Sequence, residues 1–65
     1  MKFVLDQEGI VLTLSHAELL IISGSINEAL EAVDEWEWST RVGSEKDDAR
    51  RLCAEFRSVS AQLRG

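Results

Sequence analysis

The residues of this chain that could carry chemistry are few. His16 is the only histidine and Cys53 is the only cysteine. A catalytic nucleophile needs a base within hydrogen-bond reach and a third group that orients the base, and a structural zinc site needs a set of cysteine and histidine ligands. With one residue of each type, the sequence predicts no intramolecular disulfide, no metal site and no cofactor. We therefore expect a protein that is not an enzyme.

Two pairs of acidic residues are the remaining candidates for a ligand site. Glu35 with Glu37, and Asp47 with Asp48, could each hold a hard cation weakly. Neither pair has the spacing of a calcium-binding loop. Runs of charge of this kind usually form a solvated face of a helix, and we expect the same of both pairs.

The balance of charge restricts the class of partner. Twelve acidic and seven basic residues give a net charge of −5, which repels phosphate backbones and anionic lipid. Nucleic acid and membrane are therefore not expected as partners. The N-terminal segment lacks the pattern of a signal peptide and no apolar run is long enough to span a bilayer, so we expect a soluble cytoplasmic protein.

The length of the chain limits its stability. Sixty-five residues form one domain, expected over 1–65, and a domain of this size buries only about 60% of the surface that its unfolded chain exposes. Small domains compensate with disulfides, a metal or oligomerisation. Because the first two are not expected here, oligomerisation or a partner protein remains.

A β-hairpin is predicted over residues 2–14. The segments KFVLD and IVLTL are rich in β-branched and large apolar residues and flank QEG, a sequence typical of a three-residue hairpin loop. Pairing Asp6 with Ile10 places one apolar set, Val4, Ile10, Leu12 and Leu14, opposite another, Phe3, Leu5 and Val11. Both faces are then apolar, and an isolated hairpin is marginal in water, so we expect both faces to be covered.

A first helix is predicted over residues 15–35. Ser15 and Glu18 form a capping-box pattern, and apolar residues then recur at helical spacing. The alternative is a third strand within 18–23 followed by a shorter helix from Ser25, because Gly24 weakens a helix. In the helical interpretation, Gly24 marks a close approach of another backbone. The buried stripe comprises Leu19, Ile22, Ile26, Ala29, Leu30 and Val33.

A second helix is predicted over residues 45–63. SEKD supplies an N-cap with acids in the first turn, and Asp47 and Asp48 precede Arg50 and Arg51 at spacings that support helical ion pairs. The buried stripe comprises Ala49, Leu52, Cys53, Phe56, Val59 and Leu63. Cys53 is expected to act within it as a small packed side chain.

Two tryptophans lie in the connector, residues 36–43. If the first helix continues, Trp36 extends its stripe and Trp38 points about 200° away; if the connector is extended, both indoles share one face. One interpretation is that both rings close the open end of a small core. The other is that Trp38 is a binding anchor, since tryptophan is enriched at binding hot spots. Our working interpretation places Trp36 in the core and Trp38 at an interface. Trp38→Ala would then weaken binding with little loss of stability.

The segments LSHAELL and INEALEAVDEWEWSTRVGSEKDDARRL, within residues 14–52, resemble small uncharacterised bacterial proteins. Those proteins carry a similar helix, an aromatic pair, a TR-hydrophobic-Gly sequence and a following helix. Small acidic bacterial proteins of this build are often immunity proteins or antitoxins encoded beside a toxin. The resemblance implies a binding role and identifies no functional residue.

Together these patterns predict an α+β domain, an N-terminal β-hairpin followed by two antiparallel α-helices. The expected function is that of a noncatalytic protein-binding module, an immunity-type inhibitor of a bacterial toxin or enzyme with a basic surface. The alternative is a structural homodimer that closes through the hairpin and through Leu20, Ile21 and Gly24. The expected partner-binding residues are Asp34, Glu35, Trp36, Glu37, Trp38 and Arg41.

Overall fold

A computed structural model describes residues 1–64 of the chain. Its elements are β1 (Lys2–Asp6), β2 (Gly9–Thr13), α1 (His16–Ala32), α2 (Glu35–Val42) and α3 (Lys46–Arg64). The predicted α+β class, a hairpin followed by helices, is confirmed. The number of helices is wrong: within residues 1–64 there are three rather than two, because the predicted connector is itself helical.

The hairpin forms with a different register from the predicted one. Asp6 pairs with Gly9 rather than with Ile10, so the loop has two residues instead of three. The reason is local, since the Asp6 carboxylate accepts the backbone N–H groups of Glu8 at 2.8 Å and Gly9 at 3.0 Å and closes the shorter loop. The register regroups the apolar side chains, and one face now carries Phe3, Leu5, Ile10 and Leu12 while Val4 and Val11 lie on the other.

The hairpin extends away from the helices. Every residue of β1 and β2 is exposed, and no Cα atom of either strand lies within 8 Å of a Cα atom in any described helix. The sequence predicts that both faces of the hairpin are covered, but the described helices of the same chain do not cover them.

Helix α1 begins as predicted and ends earlier. Ser15 accepts the Glu18 N–H at 3.1 Å and the Glu18 carboxylate accepts the Ser15 N–H at 2.8 Å, which confirms the capping box. The helix passes through Gly24 without a break, so the alternative of a third strand is wrong. It stops at Ala32 because Val33 has extended backbone angles, and the Val33 carbonyl accepts the Lys46 ammonium group at 2.6 Å.

Helices α1 and α3 pack antiparallel and form the core of the molecule. His16 Nε2 lies 3.3 Å from Ser60 Oγ at one end, and Arg57 donates to the Asn27 side chain at 2.6 Å further along. Cys53 is buried in this seam, with Sγ 3.9 Å from the Ser23 carbonyl oxygen. In the described residues the buried side chains are Leu19, Trp38, Cys53 and Ser60.

The molecule is a plate rather than a sphere. Its extents are 34 × 32 × 16 Å, and a helix with its side chains is about 10–12 Å across. The radius of gyration is 13.2 Å, whereas a compact domain of this length has about 10.8 Å. The helices thus form one layer, and a second layer that would close the core is not supplied by residues 1–64.

Two glycines in these helices predict opposite effects of an added methyl group. Gly43 ends α2 with a φ of 82°, a conformation that costs an alanine about 1–2 kcal/mol. No atom of another segment lies within 4 Å of the position that a Gly24 Cβ would take, so the predicted close approach of another backbone is wrong. Gly43→Ala should destabilise the fold, and Gly24→Ala should stabilise it by about 0.8–1 kcal/mol. Urea unfolding of both variants at one protein concentration measures the difference, and two changes of the same sign would contradict this assignment.

The capping box also predicts a dependence of stability on pH. The pKa of Glu18 is lowered from its ordinary value of 4.5 by the hydrogen bond from the Ser15 backbone, and then by the nearby Met1 amino group. The charged carboxylate therefore stabilises the fold above pH 4.5, and this contribution is lost as the pH falls through the lowered pKa. Glu18→Gln keeps a capping acceptor but removes the negative charge. Because it loses the ion pair with the Met1 amino group, the variant should be less stable than the wild type at pH 7. Urea unfolding at pH 7 and pH 3 should show this gap closing at low pH, and a constant gap would exclude the linkage.

Candidate protein-binding surface

The two tryptophans lie on opposite sides of α2. Trp38 is 1% exposed and Trp36 is 77% exposed, which is the reverse of the predicted arrangement. The reason is the break at Val33 and Asp34, where extended residues separate the two helices. Since α2 starts anew at Glu35, it does not inherit the helical phase of α1, and the stripe that predicted a buried Trp36 ends with α1.

Trp38 is part of the core. Its indole N–H donates to the Ser44 hydroxyl at 3.3 Å, so this serine fixes the ring. The Lys46 ammonium group lies 5.5 Å from the ring centroid, within the range of a cation–π interaction. A side chain with these contacts is not available to a partner, and the hypothesis that Trp38 is a binding anchor is wrong for the folded chain.

The charged residues predicted around the tryptophans are largely paired within the molecule. Glu35 forms an ion pair with Arg50, and this hydrogen bond raises the pKa of Arg50. Glu37 pairs with Arg41 at 3.2 Å along α2. Asp34 is exposed at the start of the helix and makes no side-chain capping bond. Of the three predicted carboxylates, Asp34 is therefore the one that the described contacts leave facing solvent.

Trp36 lies beside a shallow surface groove. The groove is formed with Glu37, Thr40 and Arg41, so Trp36 lies beside the Glu37–Arg41 ion pair. A binding role for these residues remains a prediction. Because Trp38 faces the core and Trp36 is about 200° around the helix from it, this groove points away from α1 and α3. We call it the Trp36 surface.

A second exposed surface is apolar and lies between α1 and α3. A groove of about 370 Å³ is lined mainly by residues of α1 and α3, together with Trp38 and Val42 of α2. A further groove joins α3 to the base of the hairpin at Leu12. We call the two together the open face. Its main residues are Leu12, Ile26, Ala29, Val42, Leu52, Val59 and Leu63.

The open face was not recognised in the sequence. The sequence predicts that Leu52, Val59 and Leu63 belong to a buried stripe, yet they are 45%, 46% and 59% exposed. They do share one side of α3, as their spacing predicts. The spacing of apolar residues identifies which of them share one side of α3, but it does not show whether α1 covers the whole of that side. The signal that could have revealed this surface is the width of the apolar side of α3, which is greater than one packed helix covers.

The residues predicted for a homodimer form a separate strip on α1. Leu20 and Ile21 are 44% and 68% exposed, and Gly24 is exposed beside them. Leu20 lines a groove with Arg57 and Ser60, on the side of the helix pair opposite the open face. The strip is accessible, and its role in association remains a prediction.

The residues considered for chemistry are not assembled into a site. His16 contacts Ser60 across the helix seam, while Asp47 and Asp48 pair with Arg50 and Arg51 on α3. Among the described residues, no three His, Cys, Asp or Glu side chains cluster as a metal site would. None of the helices described has the length and apolar run needed to cross a bilayer.

Comparisons with known proteins add no family to this picture. The chain matches no protein-family model, no curated protein and no solved structure.

The placement of the tryptophans predicts a large difference between two alanine variants. Trp38→Ala removes a buried ring and should cost about 3–5 kcal/mol of unfolding free energy, enough to unfold much of a domain this small. Trp36→Ala removes an exposed ring and should change the unfolding free energy by less than about 0.5 kcal/mol. Thermal denaturation followed by circular dichroism measures both. Equal losses of stability would show that the two rings are not partitioned between core and surface.

Proposed function

We propose that this protein is a noncatalytic protein-binding module that holds its partner at the Trp36 surface. The observation that supports the proposal is the exposure of Trp36. An indole that is 77% exposed on a regular helix contributes little to the core, whereas tryptophan at the centre of an interface often carries a large share of the binding energy.

The distribution of charge favours a partner with a basic surface. Residues 3–40 contain eight acidic side chains and no lysine or arginine, while residues 41–65 contain six basic and four acidic ones. The excess negative charge therefore lies in the hairpin, α1 and the start of α2. Glu28, Glu31 and Asp34 are exposed and precede Trp36 in the sequence, and in the described residues none of the three forms an ion pair.

This arrangement refines the predicted binding surface. Glu35 and Glu37 already have intramolecular partners, so bringing a basic protein onto them would require exchanging one ion pair for another. Glu28, Glu31 and Asp34 have no such competition and would contribute more to attraction at long range. Trp36 would then act after contact, by excluding water and slowing dissociation.

In the proposed function, the module inhibits its partner by covering the partner's active site. A module without a catalytic site can block a toxin or an enzyme of basic surface charge by occupying its active site, as an immunity-type inhibitor does. Such a role needs an exposed anchor and complementary charge. In this proposal Trp36 is the anchor, and the exposed carboxylates of Glu28, Glu31 and Asp34 carry the charge.

Affinity capture tests this proposal with a matched pair of variants. Tagged wild type, Trp36→Ala and Ile21→Ala are each incubated with native lysate at low and at high salt. Ile21 is the control because it is 68% exposed and apolar but lies on α1. We expect one stoichiometric basic protein with wild type and Ile21→Ala at low salt, its release at high salt, and binding weaker by about 30-fold or more with Trp36→Ala.

Three results would overturn the proposal. Equal capture by Trp36→Ala and wild type would exclude Trp36 as the anchor. Capture that is insensitive to salt would exclude the electrostatic part. Loss of binding by Ile21→Ala alone would move the binding surface to α1.

A further inference from the structure

The open face has the character of a hydrophobic core that has been cut in half. A stable domain is built from at least two packed layers around one core, and this molecule has one layer of helices, 16 Å thick in its smallest dimension. Leu52 and Val59 project from α3 on the side that α1 does not cover. Interfaces with this appearance are typical of obligate homodimers.

The hairpin continues the same surface. Leu12 lines one groove with Val59 and Leu63 of α3, and its cross-strand neighbour on the same hairpin face is Phe3. The apolar surface therefore extends from the helix pair onto the hairpin without a change of side. A hairpin that touches no helix backbone of its own chain would be stabilised by resting against a second molecule.

The surface area that the chain exposes is large enough to supply a dimer interface. The accessible surface is 5265 Å², whereas a compact monomer of 7.3 kDa exposes about 4200 Å². The excess of about 1100 Å² is larger than the roughly 800 Å² that each partner buries in an interface of standard size. A second copy of this chain can therefore cover the excess without any further segment.

The chemistry of the open face favours a second copy over a basic protein. The groove between α1 and α3 is lined almost wholly by apolar atoms, and its one charged residue, Asp48, is already paired with Arg51. A basic partner would find no free carboxylate there, and the carboxylates that could attract it lie elsewhere. An identical apolar face brings no uncompensated charge into the contact.

We propose that two copies of this chain associate through their open faces, related by a twofold axis, to form a symmetric dimer with one shared core. In such an isologous contact each copy presents Leu52 and Val59 to the other. Each hairpin lies against the partner's helices or hairpin through the face that carries Leu12. The dimer does not use the Trp36 surface, so its existence is independent of the function proposed above.

Two leucines of equal exposure provide a matched test. Leu52 is 45% exposed on the open face, and Leu20 is 44% exposed on the opposite side of the helix pair. Leu52→Glu and Leu20→Glu add the same charge to helices of the same molecule. Sedimentation equilibrium over a dilution series should give a wild-type mass of twice 7.3 kDa. Leu52→Glu should weaken the dimer by at least about 30-fold, and Leu20→Glu by less than about threefold.

The temperature of unfolding provides a second measurement that needs no variant. If folding and association are coupled, the Tm of the wild type rises with protein concentration. This measurement decides the case in which Leu52→Glu is unfolded at every concentration. A wild-type chain that remains monomeric with a constant Tm would overturn the proposal. A dimer that Leu20→Glu disrupts as strongly as Leu52→Glu would overturn the assignment to the open face.

Discussion

The packing of α1 against α3 is the interaction on which the rest of the molecule depends. It contains Leu19 and Cys53, and α2 is attached to it through Trp38, which reaches back from a separate short helix. Full burial of an apolar side chain contributes about 1.5–3 kcal/mol, while ordering each residue costs about 1–2 kcal/mol in backbone entropy alone. A seam with so few fully buried side chains leaves little margin, and every exposed apolar face is a possible source of further stabilisation.

The distribution of charge supports the same seam. The acidic excess lies before residue 41 and the basic excess from residue 41 on, and basic side chains of α3 reach polar groups in the first part of the chain. Arg57 reaches Asn27, Lys46 caps the Val33 carbonyl, and Arg50 joins α3 to Glu35 at the start of α2. These contacts fix the order of the three helices while adding little stability individually, because exposed ion pairs contribute about 0–1 kcal/mol.

Local hydrogen bonds explain which parts of the fold could be predicted from the sequence. The Ser15 and Glu18 capping box is a short-range pattern, and it located the start of α1 correctly. The hairpin register was missed because it depends on one Asp6 carboxylate that accepts two backbone N–H groups, which periodicity does not encode. The reversed tryptophans have a similar cause, since a break of two residues before Glu35 resets the helical phase.

The surfaces were harder to predict than the elements for a different reason. Helical spacing correctly grouped Leu52, Val59 and Leu63 on one side of α3, but whether that side is buried depends on what else is present. In a chain this short, the missing layer can come from a second molecule. An apolar stripe with the spacing of a core stripe can therefore equally well be half of a core that two molecules share.

The two proposed surfaces have a consequence together that neither has alone. Trp36 points away from the open face, so a dimer that closes through the open faces leaves one Trp36 surface free on each copy. A partner with two basic sites, or two partners on one surface, would then bind with an effective concentration set by the spacing of the two tryptophans. Dimerisation would also place two acidic regions in one particle and strengthen its attraction for a basic target at low salt. Stability and binding would thus be linked through mass action, because any partner that binds only the folded dimer shifts the chain towards it.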